Sequence, residues 1–425
     1  MGRYDYVIFG ATGFTGGFVV EEVARTVGTE YTWAVAARNE AKIREVLDNV
    51  SQRIGKDVTK SPVIIADVGD EASLVNMAKQ AKVVLNVVGP YRFYGEPVLK
   101  ACVENGASHV DISGEPIYLE SAQLNYNEKA KQSGCYVVGA CGFDSIPIET
   151  GIQYLKQQMP GDTSGVETVV EFKYGDKGSK VNFGTFHSMI YGIANRTELG
   201  KIRKSLFTQR LPRPAFALPK RKPLFYHEGV EGWCLPFMGS DKSVVYRTQM
   251  YDYENRNTRP IGVNTFFRSG SLLSSLCMIL WGVMFYALAN FKKGRELLEK
   301  YPEYLTFGMF STTGPTREQL KETSFSYWLF GYGWKDTMAD PSENHSTSPD
   351  TEVVVRVDGP DPGYYGTSAI MVACARTILE EQHNLPKGGG VYSPGALFAK
   401  TGLIHRLEER GIKYTIVSPP TTTSG

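Results

Sequence analysis

The first third of the chain alternates short apolar runs rich in β-branched residues with longer stretches whose apolar positions recur every three to four residues. The short runs predict strands over 4–10, 31–37, 62–67, 83–88, 108–111 and 135–138. The stretches between them predict helices over 13–26, 40–50, 71–79, 95–105 and 118–132. Strand and helix alternating in this order make a parallel sheet with helices on both faces, so the expected fold class is α/β with an N-terminal Rossmann-type parallel sheet. After Gly142 the texture changes. A helix is predicted over 145–159, followed by runs at 167–174 and 243–251 that alternate as antiparallel strands do. A strand over 353–357, a long amphipathic helix over 365–382 and an exposed polar loop over 335–351 complete the reading. The expected division is a Rossmann domain at 1–145, a second α+β domain containing a hydrophobic helical segment at 146–362, and a C-terminal helix and tail at 363–425 that pack back toward the first domain.

The run Gly10-Ala11-Thr12-Gly13-Phe14-Thr15-Gly16 follows the first predicted strand and opens the first predicted helix. Glycines there permit a tight turn and let backbone N–H groups approach a diphosphate, to which the helix N-terminus adds about half a positive charge. At the end of the second strand, where NAD-binding chains place a carboxylate for the adenosine ribose, this sequence has Arg38. A guanidinium cannot accept a hydrogen bond but pairs with a 2′-phosphate, and Lys42 lies one turn beyond, so NADP(H) is favoured over NAD. Asp67, at the end of the third strand, is placed to meet the adenine edge. Val88, Gly89, Pro90 and Tyr91, after the fourth strand, and Ser113, after the fifth, are placed on the nicotinamide side.

Charge and cysteine content narrow the partners. With 46 Lys and Arg against 45 Asp and Glu, the chain has no global field for collecting polyanions, which argues against nucleic acid. The six cysteines show no metal-ligand spacing and read as reduced thiols, and no metal site is expected. The opening residues run straight into an apolar strand, so a signal peptide and secretion are not expected.

Substrate-facing residues are expected from the later strand ends. Asp144 and Glu115 are candidate proton donors or acceptors and Tyr94 a phenolic donor. The competing reading makes Asp144 or Ser145 a cap for the next helix, with Pro147 in its first turn. The Gly10 to Gly16 run, Ala37-Arg38, the stretch from Val84 to Tyr91, His109 to Glu115 and Gly142 to Pro147 resemble the saccharopine dehydrogenase-like oxidoreductases. The resemblance continues through Phe237-Met238-Gly239-Ser240-Asp241 and the stretch from Gly389 to Gly395. It implies an NADP(H)-dependent hydride transfer and, from the animal members, association with lipid droplets. It also implies that true saccharopine reductases carry a tyrosine near the substrate where Gly114 stands here, which weighs against lysine metabolism. A saccharopine dehydrogenase and a catalytically silent NADP-binding scaffold or sensor on lipid droplets are the alternative functions.

Segment 271–291 holds no charged residue over 21 positions. As a helix it would be about 31 Å long, enough to match a bilayer core. Upstream, 201–222 carries eight basic residues and no acid, with Phe207, Leu211, Phe216 and Leu218 interleaved. Together they point to a membrane or lipid-droplet surface on its cytoplasmic face, and to an apolar small-molecule substrate. The competing readings are a solvated basic loop, and a helix buried in the second domain or in a homodimer interface.

Overall fold

A computed structural model of the chain describes residues 2–214, 216–340 and 343–422. The first sheet contains β1 (Tyr4–Phe9), β2 (Trp33–Ala37), β3 (Val63–Ile65), β4 (Ala81–Asn86), β5 (Ser108–Asp111) and β6 (Tyr136–Val138). Helices α1 (Phe14–Thr26), α2 (Glu40–Ile54), α3 (Glu71–Lys79), α4 (Tyr91–Glu104) and α5 (Pro116–Ser133) make the crossovers, and α6 (Ile146–Gln158) follows β6. All strand pairs are parallel in the order β6-β5-β4-β1-β2-β3, and a seventh strand, Gly390–Tyr392, pairs in parallel with β6. Central strands covered on both faces need nearly unbroken apolar runs. Val7, Ile8, Val83, Val84 and Leu85 accordingly have no exposed surface.

Local signals set the helix ends. The Asn39 side chain accepts the Lys42 backbone N–H at 3.0 Å and Asp70 accepts those of Ala72 and Ser73, each capping the helix that follows. Gly55 ends α2 in the left-handed region at φ 67°. The fourth helix begins at Tyr91, four residues before the predicted start.

The second sheet runs in the order Lys413–Thr422, Thr351–Pro360, Ser324–Gly333, Thr163–Lys173, Gly262–Gly270, Gly232–Pro236, Phe225–His227. Only Gly262–Gly270 and Thr163–Lys173 pair in parallel. Helix α6 lies on this sheet. A Cβ on its Gly151 would stand 2.9 Å from a methyl of Leu329, so the missing side chain lets the helix approach the strand closely. The two sheets share one apolar core. Val35, Val83 and Val110 belong to the same buried cluster as Leu155, Leu329 and Val355, and the Phe143 ring at the junction stands 4.8 Å from that of Phe325.

Three expectations need correction. Residues 243–251 form no strand: they lie inside α9 (Asp241–Arg256), labelled after α7 (Phe183–Ala194) and α8 (Arg196–Leu206). The buried positions Asp241, Val244, Val245, Thr248 and Met250 recur at helical spacing, which outweighs the local alternation of polar and apolar residues. The C-terminal part is also not one unit. Helix Thr367–Glu380 and strand Gly390–Tyr392 join the first sheet, whereas Lys413–Thr422 is the edge strand of the second. Finally, the charge-free segment forms α10 (Leu272–Ala289), and only Ser275, Phe285 and Ala289 of it are buried. That rules out burial within the second domain.

Leu329→Ala should destabilise the protein by about 2–5 kcal/mol, because the site is fully buried between α6 and the sheet and cannot collapse freely. Denaturant unfolding measures this, and a loss below about 1 kcal/mol would mean that α6 settles onto the strand.

Candidate NADP(H) and substrate site

The turn from β1 to α1 is built on backbone proximity. Gly10 has φ 91°, and a Cβ there would stand 2.7 Å from Val88 Cγ2. A Cβ on Gly16 would collide with the Gly10 carbonyl oxygen. Both positions therefore require glycine. No side chain caps the N-terminus of α1 and no acid occupies its first turn. The first N–H groups and the positive end of the helix dipole are left for an anion, as a dinucleotide diphosphate needs.

Thr12, Arg38, Asn39, Lys42 and Asp67 line one open depression beside that turn. The Arg38 side chain is 75% exposed, and its Nε stands 3.9 Å from Asp67 Oδ2. So loose a contact in water contributes little, and the guanidinium stays available for a phosphate. Asp67 Oδ1 accepts the Gly69 N–H at 2.9 Å, which orients the carboxylate at the rim. These residues fit an adenosine bearing a 2′-phosphate.

The other end of the sheet treats its predicted residues differently. Tyr91 is buried: its Oη donates to the Asn86 carbonyl at 2.9 Å, and its ring lies 5.5 Å from that of Tyr118. The Gly89-Pro90 peptide between β4 and α4 is cis. Ser113 is also buried, and its Oγ accepts the Glu115 N–H at 3.1 Å. Glu115 accepts the N–H groups of Tyr91 and Arg92, each at 3.0 Å, and the Ser188 hydroxyl at 2.8 Å. Its carboxylate thus caps α4 and ties α7 to it, work that occupies both oxygens. Tyr94, in the first turn of α4, is exposed.

Asp144 is half-buried, with Oδ2 facing Gly114 at 3.0 Å from where a Cβ would stand. Burial pushes its carboxyl up to about 6, so it holds a proton closer to neutrality than an ordinary aspartate. It does not cap α6, and neither does Ser145, whose hydroxyl instead lies 3.2 Å from that of Ser240.

The comparisons with known proteins agree with this geometry. Residues 6–138 match the family model described as the saccharopine dehydrogenase NADP binding domain. The human saccharopine dehydrogenase-like oxidoreductase is 42% identical, with 98% of this chain and 97% of that one aligned. The chain belongs to the saccharopine dehydrogenase-like oxidoreductase family. Its cofactor is NADP(H) and its reaction class is oxidoreduction. A lipid droplet localized protein of Caenorhabditis elegans is a similarly near family member, 43% identical over 98% of this chain and 99% of its own. Among solved structures, the apo saccharopine dehydrogenase (L-Glu forming) of Saccharomyces cerevisiae shares the fold, with TM-score 0.53 and 13% identity over 97% of this chain and 99% of that one.

Two acids, Glu21 and Asp241, were not singled out as site residues from sequence, although Asp241 ends the 237–241 run. Glu21 of α1 meets Arg25, Arg53 and Arg317, so the coenzyme helix is braced from the second half of the chain. Asp241 of α9 accepts the hydroxyls of Tyr327 and Ser145. No spacing rule finds such partners, because they come from separate elements.

Arg38→Gln should weaken NADPH binding roughly 10- to 100-fold, the loss of one charge-assisted contact, with NADH binding unchanged. Calorimetry with both coenzymes decides it. Equal losses would remove Arg38 from the 2′-phosphate site.

Proposed function

We propose that this oxidoreductase rests on the cytoplasmic face of a lipid droplet or membrane and reduces or oxidises an apolar substrate drawn from the lipid. The carrying observation is α10, an 18-residue helix of mean hydropathy 2.0 whose apolar side chains mostly face outward. Leu273 is 72% exposed and Leu280 71%, and nearby Phe307 and Tyr304 are exposed even more fully. A patch of this kind is costly in water and stable against acyl chains. Strand Gly262–Gly270 precedes α10 and Ser324–Gly333 follows it, and both pair with Thr163–Lys173 in one sheet. A helix between two strands of the same sheet cannot carry the chain across a bilayer, so α10 lies in one leaflet.

Continuity with the site supports the substrate class. Helix α7 packs on α10, with the Phe186 ring 5.4 Å from that of Phe285. Its other side touches the first turn of α4, through Tyr191 on Phe93 at 5.1 Å and through the Ser188 to Glu115 bond. One helix therefore separates the lipid-facing patch from the first turn of α4, which carries Tyr94. Of the eight basic residues in 201–222, Arg203 is engaged by Glu120 and Arg221 by Glu167. The other six are exposed and can meet anionic headgroups, as can the exposed Lys292 and Lys293 shortly after α10, where Lys292 makes only a loose 4.0 Å contact with Glu296.

When bound, NADP(H) supplies or takes the hydride. Asp144 then gives the proton to the neighbouring atom of the reduced double bond, or takes it in the reverse direction. A tyrosine at Gly114 would press on Asp144, which supports a substrate other than saccharopine.

The pair Leu273→Glu and Leu280→Glu should cut binding to phospholipid-coated triolein droplets at least about tenfold, since each buried leucine is worth about 1.5–3 kcal/mol. NADPH affinity should stay the same, and undiminished flotation with the droplets would reject the docking face. Asp144→Asn should lower NADPH consumption in a lipid extract roughly 10²- to 10⁴-fold with little change in NADPH affinity. Full turnover by that variant would assign the proton to another group.

A further inference from the structure

A turn from far along the chain lies against the start of α1. Arg317 pairs with Glu21 at 2.8 Å and covers the Phe18 ring at 4.5 Å, and three residues earlier Gly314 sits on the Phe14 ring. A Cβ on Gly314 would stand 2.8 Å from two carbons of that ring, and its φ of 71° is left-handed, so contact and backbone both require glycine. From 317 back to 314 the contacts move about one helical turn toward the N-terminus of α1, the end that suits the coenzyme diphosphate.

The turn is held at both ends. The Gly314 N–H donates to the Ser311 hydroxyl at 3.0 Å, and Ser311 belongs to a short strand, Phe310–Ser311, paired with Val181–Asn182. The Asn182 N–H donates to the Tyr364 hydroxyl at 2.8 Å, and the Tyr364 ring stands 4.9 Å from that of Phe14. Ser311, Gly314 and Pro315 are buried, whereas Thr312 and Thr313, at the tip, are exposed. Each residue adds at most about 3.6 Å, so both threonines lie within about 7 Å of Gly314 along the chain. Thr12 and Gly13, which precede Phe14, are exposed as well. Residues 310–317 include no acid, so the turn brings hydroxyls and no negative charge to this end of the helix.

We propose that Thr312 and Thr313 complete the coenzyme site, their hydroxyls donating to the diphosphate of NADP(H) alongside the N–H groups of the glycine turn. A hydroxyl bonded to a phosphate oxygen makes a charge-assisted hydrogen bond, stronger than one between neutral groups. The second half of the chain then supplies binding groups to the coenzyme as well as the brace on Glu21.

Calorimetry and hydrogen exchange on the full-length protein test this. The double variant Thr312→Val, Thr313→Val should bind NADPH at least about tenfold more weakly, the loss of a bond to a charged group. 2′-AMP, which has the adenosine and the 2′-phosphate but no diphosphate, should bind the variant and the wild type equally. The pair Thr312→Ser and Thr313→Ser keeps both hydroxyls and should bind NADPH as the wild type does, which separates the hydroxyls from the shape of the turn. In the wild type, saturating NADPH should slow deuterium uptake by the peptide spanning 307–316, a result that needs no variant. Undiminished NADPH affinity in the valine variant, an equal loss for 2′-AMP, a serine variant as weak as the valine one, or an unaffected 307–316 peptide would each overturn the assignment. Wild-type protein that binds neither NADPH nor 2′-AMP would defeat the coenzyme site as a whole rather than this part of it.

Discussion

The close approach of α1 to the end of β1 is the constraint on which the rest of the molecule depends. Because Gly16 has no side chain, the helix starts directly against the Gly10 carbonyl, and its first N–H groups open onto the strand ends instead of a packed side chain. Everything else about the coenzyme end follows from that placement. Asn39 starts the next helix so that Arg38 and Lys42 stand beside the turn, and Glu21, held by three arginines, fixes the far side of α1. The Arg317 guanidinium also lies over the Phe18 ring at 4.5 Å, so residues from beyond 300 hold the helix that opens at the glycine turn.

Much of the first sheet was legible because its strands are short, apolar and separated by capped helices, and periodicity reports such contrasts well. The glycine run and Arg38 were readable for a similar reason: a helix N-terminus beside a strand end dictates its own residue types. Tertiary facts were not readable. Glu115 looks like an acid in a motif, yet folding brings two backbone N–H groups and a serine to it. The stretch 243–251 alternates locally, yet its burial is helical. Gly390–Tyr392 is a three-residue strand that starts on the last of three consecutive glycines, too short to announce itself, and it is seen only through its pairing with β6. In the basic run, Glu120 and Glu167 claim two of the charges from other elements.

The exposed apolar face of α10 and the Asp144 carboxyl are the two ends of the proposed function. Outward leucines lower the cost of resting on acyl chains, and burial raises the carboxyl of Asp144 above the ordinary aspartate range. Helix α7 joins these environments, with aromatic contacts on one side and the Glu115 hydrogen bond on the other.

The late strands have a consequence for biosynthesis. Gly390–Tyr392 completes the first sheet, helix Thr367–Glu380 covers α1, and Lys413–Thr422 closes an edge of the second sheet. A ribosome that has released only the first 145 residues has therefore delivered an incomplete sheet lacking part of its cover. A chain that stops short of Gly390 lacks the seventh strand of the first sheet and the edge strand of the second, so it loses structure from both halves at once.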